Sequence, residues 1–280
     1  MKLKPVLMDV IQVFNKADYN VDIRITQHRG HATEIANNLS DDVDTVVVSG
    51  GDGTLNEVLT GLLQSDKKLP IGYIPTGSTN DFATTLGITL DPKQAAMQIV
   101  SGVPMDIDVG KFSDDRYFSY IASFGMFTAV SYNTPQSVKN IFGHLAYVLE
   151  GAKDLTKISS YNVKLETDDC IYDGKYIFGA VSNTTSVGGI LKLDKDMVKM
   201  NDGLFEVVLV KRPNNLNDLS KIIIGCTKAD FTGDVFEFSK TKTAKFTFEN
   251  PMDWSVDGEH EATHTEVIIE NLEKSATIIV

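Results

Sequence analysis

The sequence predicts an α/β protein in two parts: an N-terminal α/β domain with a mainly parallel sheet, residues 1–107, and a C-terminal, predominantly antiparallel β-sandwich domain, residues 108–280. Three observations predict it. Twice, at Val46 to Thr54 and at Leu69 to Asp81, an apolar strand runs into a polar, glycine-containing turn that opens a helix. Helical and strand periodicities alternate up to about Val103, as in a parallel sheet with crossover helices. Beyond Val103, strand-like alternation takes over, the pattern of sheets with one buried face.

The elements follow in order. Leu3, Leu7, Val10, Ile11 and Phe14 fall at helical spacing, so residues 2–17 form an amphipathic helix. Val21 to Ile25 reads as a strand and His31 to Leu39 as a helix. Next come the strand before Gly50, a helix after Thr54, a strand at 69–74 and helices from Asn80 and Asp91. In the second part, Tyr161 to Glu166, Phe205 to Lys211 and Thr243 to Phe248 alternate as strands, interrupted by a helical stretch at about 137–155. The aromatic stretch Tyr117, Phe118, Tyr120, Phe124 and Phe127 reads either as core or as the wall of an apolar slot.

Composition narrows the class. The 280 residues are 42% hydrophobic and carry a net charge of -12, which argues against nucleic acid as a partner and disfavours nonspecific adhesion to anionic membranes. Lys192, Lys195, Lys199, Lys211 and Arg212 could form a local basic face, but Asp194, Asp196 and Asp202 are interleaved with them. The two cysteines, Cys170 and Cys226, lack metal-ligand spacing, and a reducing compartment is expected. No run approaches the roughly 18 apolar residues of a spanning helix, and Lys2 and Lys4 precede no secretory signal. A cytoplasmic protein is expected.

The two strand–turn–helix units carry the chemistry. Val46-Val47-Val48-Ser49 ends in Gly50-Gly51-Asp52-Gly53-Thr54, where unpaired backbone N–H groups and the positive end of a helix converge, as in a phosphate cradle. Glycines admit an anion closely, and Asp52 suits a metal that bridges to phosphate. An ordinary tight turn with Asp52 and Thr54 as caps is the alternative for this loop alone. In the second loop, Gly77 permits close approach, Ser78 and Thr79 offer hydroxyls, and Asn80 or Asp81 could cap the next helix. Parallel strands bring such loops together at their carboxyl ends, and a structural turn explains both loops together poorly.

Ser49 to Val58 (SGGDGTLNEV) followed by Ile74 to Ala83 (IPTGSTNDFA) resembles the soluble bacterial diacylglycerol kinases, relatives of sphingosine and ceramide kinases. The likeness continues through Asp106 to Lys111, Val130 to Pro135, Asn201 to Phe205 and Val256 to Glu259, and so runs over nearly the whole chain. NAD kinases share the first loop but resemble the second much less. Family members begin with a strand leading into an Asn-Pro-x-Ser-Gly loop, whereas here Met1 is followed almost at once by a helix. Either the chain is truncated, its start is placed late, or the first strand is absent, and an absent first strand would expose a sheet edge and remove part of the phosphate cradle.

The resemblance implies an active-site cleft between the domains, ATP and Mg²⁺ as cofactors, and a set of site residues. Gly50, Gly51, Gly53 and Thr54, with Gly77, Ser78, Thr79 and Asn80, would hold the nucleotide, and Thr26 and Glu259 would contact it. Asp52 would act near the catalytic metal, with Asp81 and Asp108 organising it. A helix cap and a strand-end turn are their plain alternatives. Asp202, with the carbonyls of Lys199 and Leu204, matches a second, structural Mg²⁺ site. Asp257, in Val256-Asp257-Gly258-Glu259, would be the general base, while from the residues alone Asp257-Gly258 is a good hairpin turn. His28 and His31 read as capping and surface polarity rather than metal ligands.

The leading reading is an ATP- and Mg²⁺-dependent lipid kinase that converts diacylglycerol to phosphatidic acid. It would be peripheral to the membrane and in transient contact with its surface, and an open sheet edge makes a homodimer reasonable. The alternatives are an NAD kinase-like small-molecule kinase and a catalytically impaired nucleotide- or lipid-binding protein.

Overall fold

The computed structural model describes residues 6–65, 67–78, 80–113, 116–126, 155, 158–184, 186–187, 191–192 and 198–280. It divides the chain into two units: residues 1–109 with 273–280, and residues 110–272. The sequence reading assigned everything after 107 to the second domain. Residues 273–280 cluster instead with the first unit, because Thr277 and Ile278 pair in parallel with Pro70 and Ile71.

In the first unit, α1 (Leu7–Lys16) buries Val10 and Phe14 and packs on α5 (Pro92–Ser101). Pro92 occupies the first turn of α5, and the Asp91 carboxylate accepts the Gln94 N–H, a standard start signal. Between them lie α2 (His31–Asn37), β1 (Val46–Gly50), α3 (Asp52–Gln64), β2 (Pro70–Pro75) and α4 (Asp81–Leu86). β1 and β2 are parallel, in register from Val46 opposite Ile71 to Gly50 opposite Pro75. Ile71, Tyr73 and Ile74 are buried on both faces of β2, as a parallel strand covered by helices requires.

The expected strand at Val21 to Ile25 does not form. The segment is irregular and unpaired, with Val21 41%, Ile23 49% and Ile25 75% exposed. Alternating β-branched residues favour a strand only where a neighbouring strand completes the ladder, and none does so among the described residues. Among the described residues β1 stands at the end of the strand order. The expected helix at 137–155 and the first residues of the expected helix at 2–17 lie outside the described residues.

β3 (Pro104–Phe112) leads into the second unit, which holds β4 (Arg116–Phe118), β5 (Ile121–Gly125), β6 (Tyr161–Glu166), β7 (Ile171–Ser182), β8 (Ser186–Val187), β9 (Leu191–Lys192), β10 (Phe205–Lys211), α6 (Leu216–Lys228), β11 (Phe236–Thr241), β12 (Thr243–Val256) and β13 (Glu259–Ile279) as far as Leu272. Pairing is antiparallel in the order β13-β12-β5-β7-β10-β11, with β6 also joining β7 and β12. Trp254 is the centre of the core, with the rings of Phe124 at 5.0 Å and of Phe112 and Phe246 at 5.2 Å. Phe118 and Phe124, candidates for an apolar slot, are fully buried in this core, whereas Phe127 lies outside the described residues.

Gly110 faces Phe118 across the β3–β4 pair, and a Cβ there would stand 2.1 Å from the Phe118 ring. Phe118 is itself stacked on Phe205 at 5.5 Å and has nowhere to go. Gly110→Ala should therefore cost about 1–3 kcal/mol and lower the Tm by several degrees. Thermal unfolding indistinguishable from the parent would refute this packing.

Candidate active site

The β1–β2 register sets Gly50 opposite Pro75, so loops 50–54 and 75–81 leave the sheet side by side at the carboxyl ends of parallel strands. Thr76 N–H donates to Gly50 O at 2.8 Å. A Cβ on Gly77 would lie 2.6 Å from Gly51 Cα, so the loops touch backbone to backbone. α3 starts directly at Asp52 behind Gly51, whose extended conformation (φ -93°) offers no side-chain cap. The capped-turn alternative is thus not what forms: no side chain caps the first turn, and the Thr54 N–H donates to Gly51 O at 3.0 Å.

Asp52 reaches across to the second loop, where its Oδ2 accepts Asp81 N–H at 3.3 Å. Among the described residues its buried Oδ1 has no hydrogen-bond partner within 3.5 Å, and the Tyr73 hydroxyl is the side-chain donor that faces the carboxylate. Burial raises the Asp52 pKa, opposed by the N–H groups of Asp81, Phe82 and Asn80. The buried Tyr73 hydroxyl lies 3.3 Å from Gly50 O, and burial together with the Asp52 charge pushes its pKa up, so it stays protonated. Asn80 sits at the head of α4 in the left-handed region (φ 53°) and does not cap it. Its amide instead closes the loop on Gly77, accepting Gly77 N–H and donating to Gly77 O, both at 3.0 Å. Ser78 is exposed, and Thr79 lies outside the described residues.

Glu57 went unremarked in the sequence. From the second turn of α3 it accepts the N–H groups of Gly30 (2.9 Å) and Ala32 (3.1 Å), while Thr33 Oγ1 donates to Glu57 O at 2.9 Å. Glu57 thereby satisfies orphan donors at the start of α2, which has no side-chain cap of its own. A cap supplied from another helix leaves no local signature; Tyr73, too, reads only as a core strand residue. Thr26 lies in the exposed irregular segment.

The fully buried Asp108 accepts Lys274 N–H at 2.8 Å, within the first unit. In the second unit, Asp257 and Gly258 take φ of 49° and 79° and join β12 to β13, so the hairpin reading holds. The same turn buries the Asp257 carboxylate under four donors. Oδ2 accepts Ser119 N–H (2.7 Å) and Ser119 Oγ (2.9 Å), and Oδ1 accepts the N–H groups of Tyr120 (3.1 Å) and Ile121 (3.0 Å). Burial nevertheless wins and pushes its pKa up to about 6. Glu259 pairs with Arg116 at 2.8 Å. Asp202 is exposed and accepts Leu204 N–H at 3.2 Å in the turn before β10, with Lys199 exposed beside it. Of the basic cluster, Lys211 pairs with Glu237 at 2.7 Å, while Lys195 lies outside the described residues.

The chain is similar to known proteins along most of its length. Residues 2–112 match the family described as the diacylglycerol kinase catalytic domain. The diacylglycerol kinase of Bacillus subtilis (strain 168) is 34% identical over 257 residues, covering 91% of this chain and 84% of its own length. That of Staphylococcus saprophyticus is 32% identical over 259 residues, covering 92% and 84%. The crystal structure of a provisionally assigned diacylglycerol kinase from Bacillus anthracis str. Sterne superposes with a TM-score of 0.81 at 25% identity, covering 99% of this chain and 91% of that one.

Glu206 is a second buried carboxylate that the sequence did not single out. It is fully inaccessible on β10, with Lys240 Nζ at 3.0 Å. Burial raises its pKa to about 7, against the pull of Lys240, and the charge of Asp202 pushes the same way. Because the folded pKa lies above the unfolded one, the protonated carboxyl stabilises the fold at low pH. That contribution is lost as pH rises towards about 7. Glu206→Gln should therefore gain Tm relative to the parent between pH 5 and pH 8. A Tm difference independent of pH would contradict the assignment.

Proposed function

The chain belongs to the diacylglycerol kinase family and is a lipid kinase, and we propose that it transfers the γ-phosphate of ATP to the free hydroxyl of diacylglycerol, giving phosphatidic acid. The observation that carries this reading is the pair of glycine loops in backbone contact at the carboxyl ends of β1 and β2, at the uncapped start of α3. Gly50, Gly51, Gly53 and Thr54, with Gly77, Ser78 and Asn80, are assigned to the nucleotide phosphates, and Thr26 and Glu259 to further nucleotide contacts. The second unit is taken as the lipid-substrate domain, with the sandwich architecture expected from the sequence. Among the described residues no helix is long and apolar enough to cross a membrane. Diacylglycerol resides in bilayers, so the proposed reaction proceeds during transient contact with a membrane surface.

Mg²⁺ fits the donor set. A buried, unpartnered carboxylate oxygen on Asp52 is what a hard cation would satisfy, and Asp81 and Asp108 are assigned to organise it. When bound there, Mg²⁺ supplies charge neutralisation on the phosphate oxygens. Asp202, with the carbonyls of Lys199 and Leu204, is assigned to a second, structural ion.

Asp257 is assigned as the general base. Its carboxylate takes the hydroxyl proton as the lipid oxygen attacks the γ-phosphate. Four donors already fill its acceptor sites, and three of them are fixed backbone N–H groups. The fourth, the Ser119 hydroxyl, rotates, so the substrate hydroxyl takes its place at Oδ2.

Labelled ATP, Mg²⁺ and diacylglycerol in mixed micelles should give labelled phosphatidic acid. Label on NAD in the same mixture, or on no acceptor, would overturn the reading. Asp257→Asn should lower turnover by about 10²–10⁴-fold with ATP affinity retained, and near-parental rates would remove it as the base. Because the base must be ionised, kcat/KM should fall below about pH 6.

Asp52→Asn should weaken the Mg²⁺ requirement, so an unchanged metal dependence would argue against its role.

A further inference from the structure

We propose that His28, His31 and Glu34 form a binding site for a divalent transition-metal ion of the zinc class. Each offers one ligand atom, and the three atoms lie within 4.8 Å of one another. The two imidazoles lie face to face, ring centroids 4.7 Å apart and planes 17° from parallel.

The hydrogen bonds behind the rings orient the donors. His28 Nδ1 lies 3.0 Å from Arg29 O, and a carbonyl only accepts, so the proton is on Nδ1 and Nε2 carries the lone pair. A metal-ligating histidine is held in this way, by a backbone carbonyl behind the coordinating ring. His31 differs: its Nδ1 accepts Gln27 N–H at 3.0 Å. Coordination through Nδ1 takes the lone pair that Gln27 uses, and coordination through Nε2 moves the ring proton onto Nδ1. Either way an ion and the Gln27 N–H compete for the same imidazole.

The backbone that carries these side chains is braced from outside. Glu57 holds the N–H groups of Gly30 and Ala32, and Thr33 Oγ1 is tied to Glu57 O, so the chain between the ligands is anchored to α3. Glu57 also fills the capping role that the sequence reading gave to the histidines. The site rests on its donor set and not on the end of α2. A zinc-class ion about 2.0–2.1 Å from each donor sets donor–donor separations of about 3.4 Å. With the ligand atoms within 4.8 Å of one another, closing takes shifts of at most about 1.4 Å, within reach of rotations of His28 and Glu34, which are both exposed. Two imidazoles, a carboxylate and room for water suit zinc, cobalt, nickel or copper, whereas Mg²⁺ prefers an all-oxygen shell.

The test is titration of the metal-stripped protein with Co²⁺, followed by visible absorption and by the Gln27 amide resonance. The expected result is one saturable Co²⁺ per chain, displaced by Zn²⁺ and untouched by millimolar Mg²⁺, with the Gln27 amide shifting in step. His28→Ala and Glu34→Gln, both at exposed positions, should keep the parental Tm and each weaken binding by about tenfold or more. No saturable absorption would overturn the proposal. So would unchanged affinity in the double variant, which would place the ion on other residues. Loss of Co²⁺ binding with the Gln27 resonance unmoved in the parent would also overturn it.

Discussion

The backbone contact between Gly51 and Gly77 is the constraint on which the first unit's functional geometry depends. A Cβ on Gly77 would come within 2.6 Å of Gly51 Cα, well inside normal contact, so the loops reach this separation only without side chains. From that contact the rest follows in sequence. Thr76 N–H reaches Gly50 O, Asn80 folds back to close the turn on Gly77, and Asp52 spans to Asp81 N–H. The parallel register of β1 and β2 sets the contact up by placing Gly50 opposite Pro75.

In the second unit the comparable constraint is the hairpin at Asp257. Both turn residues sit in the left-handed region, natural for glycine and tolerated by aspartate. The Asp257 N–H is tied to Ile121 O while the carboxylate collects the donors of residues 119–121, so turn and loop define each other. Burial and hydrogen bonding pull the carboxylate in opposite directions. Burial outweighs the four donors, and the carboxyl pKa is pushed up to about 6.

What the sequence made legible is what is encoded locally. Strand, glycine turn and helix are contiguous in both loops, and the Asp257-Gly258 turn needs only two residues to declare itself. What it hid depends on distant partners. Val21 to Ile25 has the composition of a strand, but a strand exists only in a ladder. Glu57 reads as a polar position on a helix until residues 30–33 are placed against it. Residues 273–279 continue β13, and the kink where that strand passes from the second unit to the first, with Lys274 in the left-handed region (φ 49°), has no glycine or asparagine at that position to announce it in the sequence. Asn80 looks like a helix cap and is one by position, yet its amide is occupied by Gly77.

Asp52 and Asp257 are both carboxylates whose pKa is raised by burial, and their surroundings separate their roles. Among the described residues Asp52 has a buried oxygen with no hydrogen-bond partner, a state that costs free energy unless a cation or donor arrives with the substrate. Asp257 has no such vacancy, since every acceptor site is filled and only the Ser119 hydroxyl can leave. An incomplete shell suits a group that must gain a ligand. A complete shell with one rotatable member suits a group that must keep its orientation while a proton arrives. The difference supports the proposal that the cation binds at Asp52 and the proton is taken at Asp257, since three of the four donors on Asp257 are fixed backbone N–H groups that a cation would face.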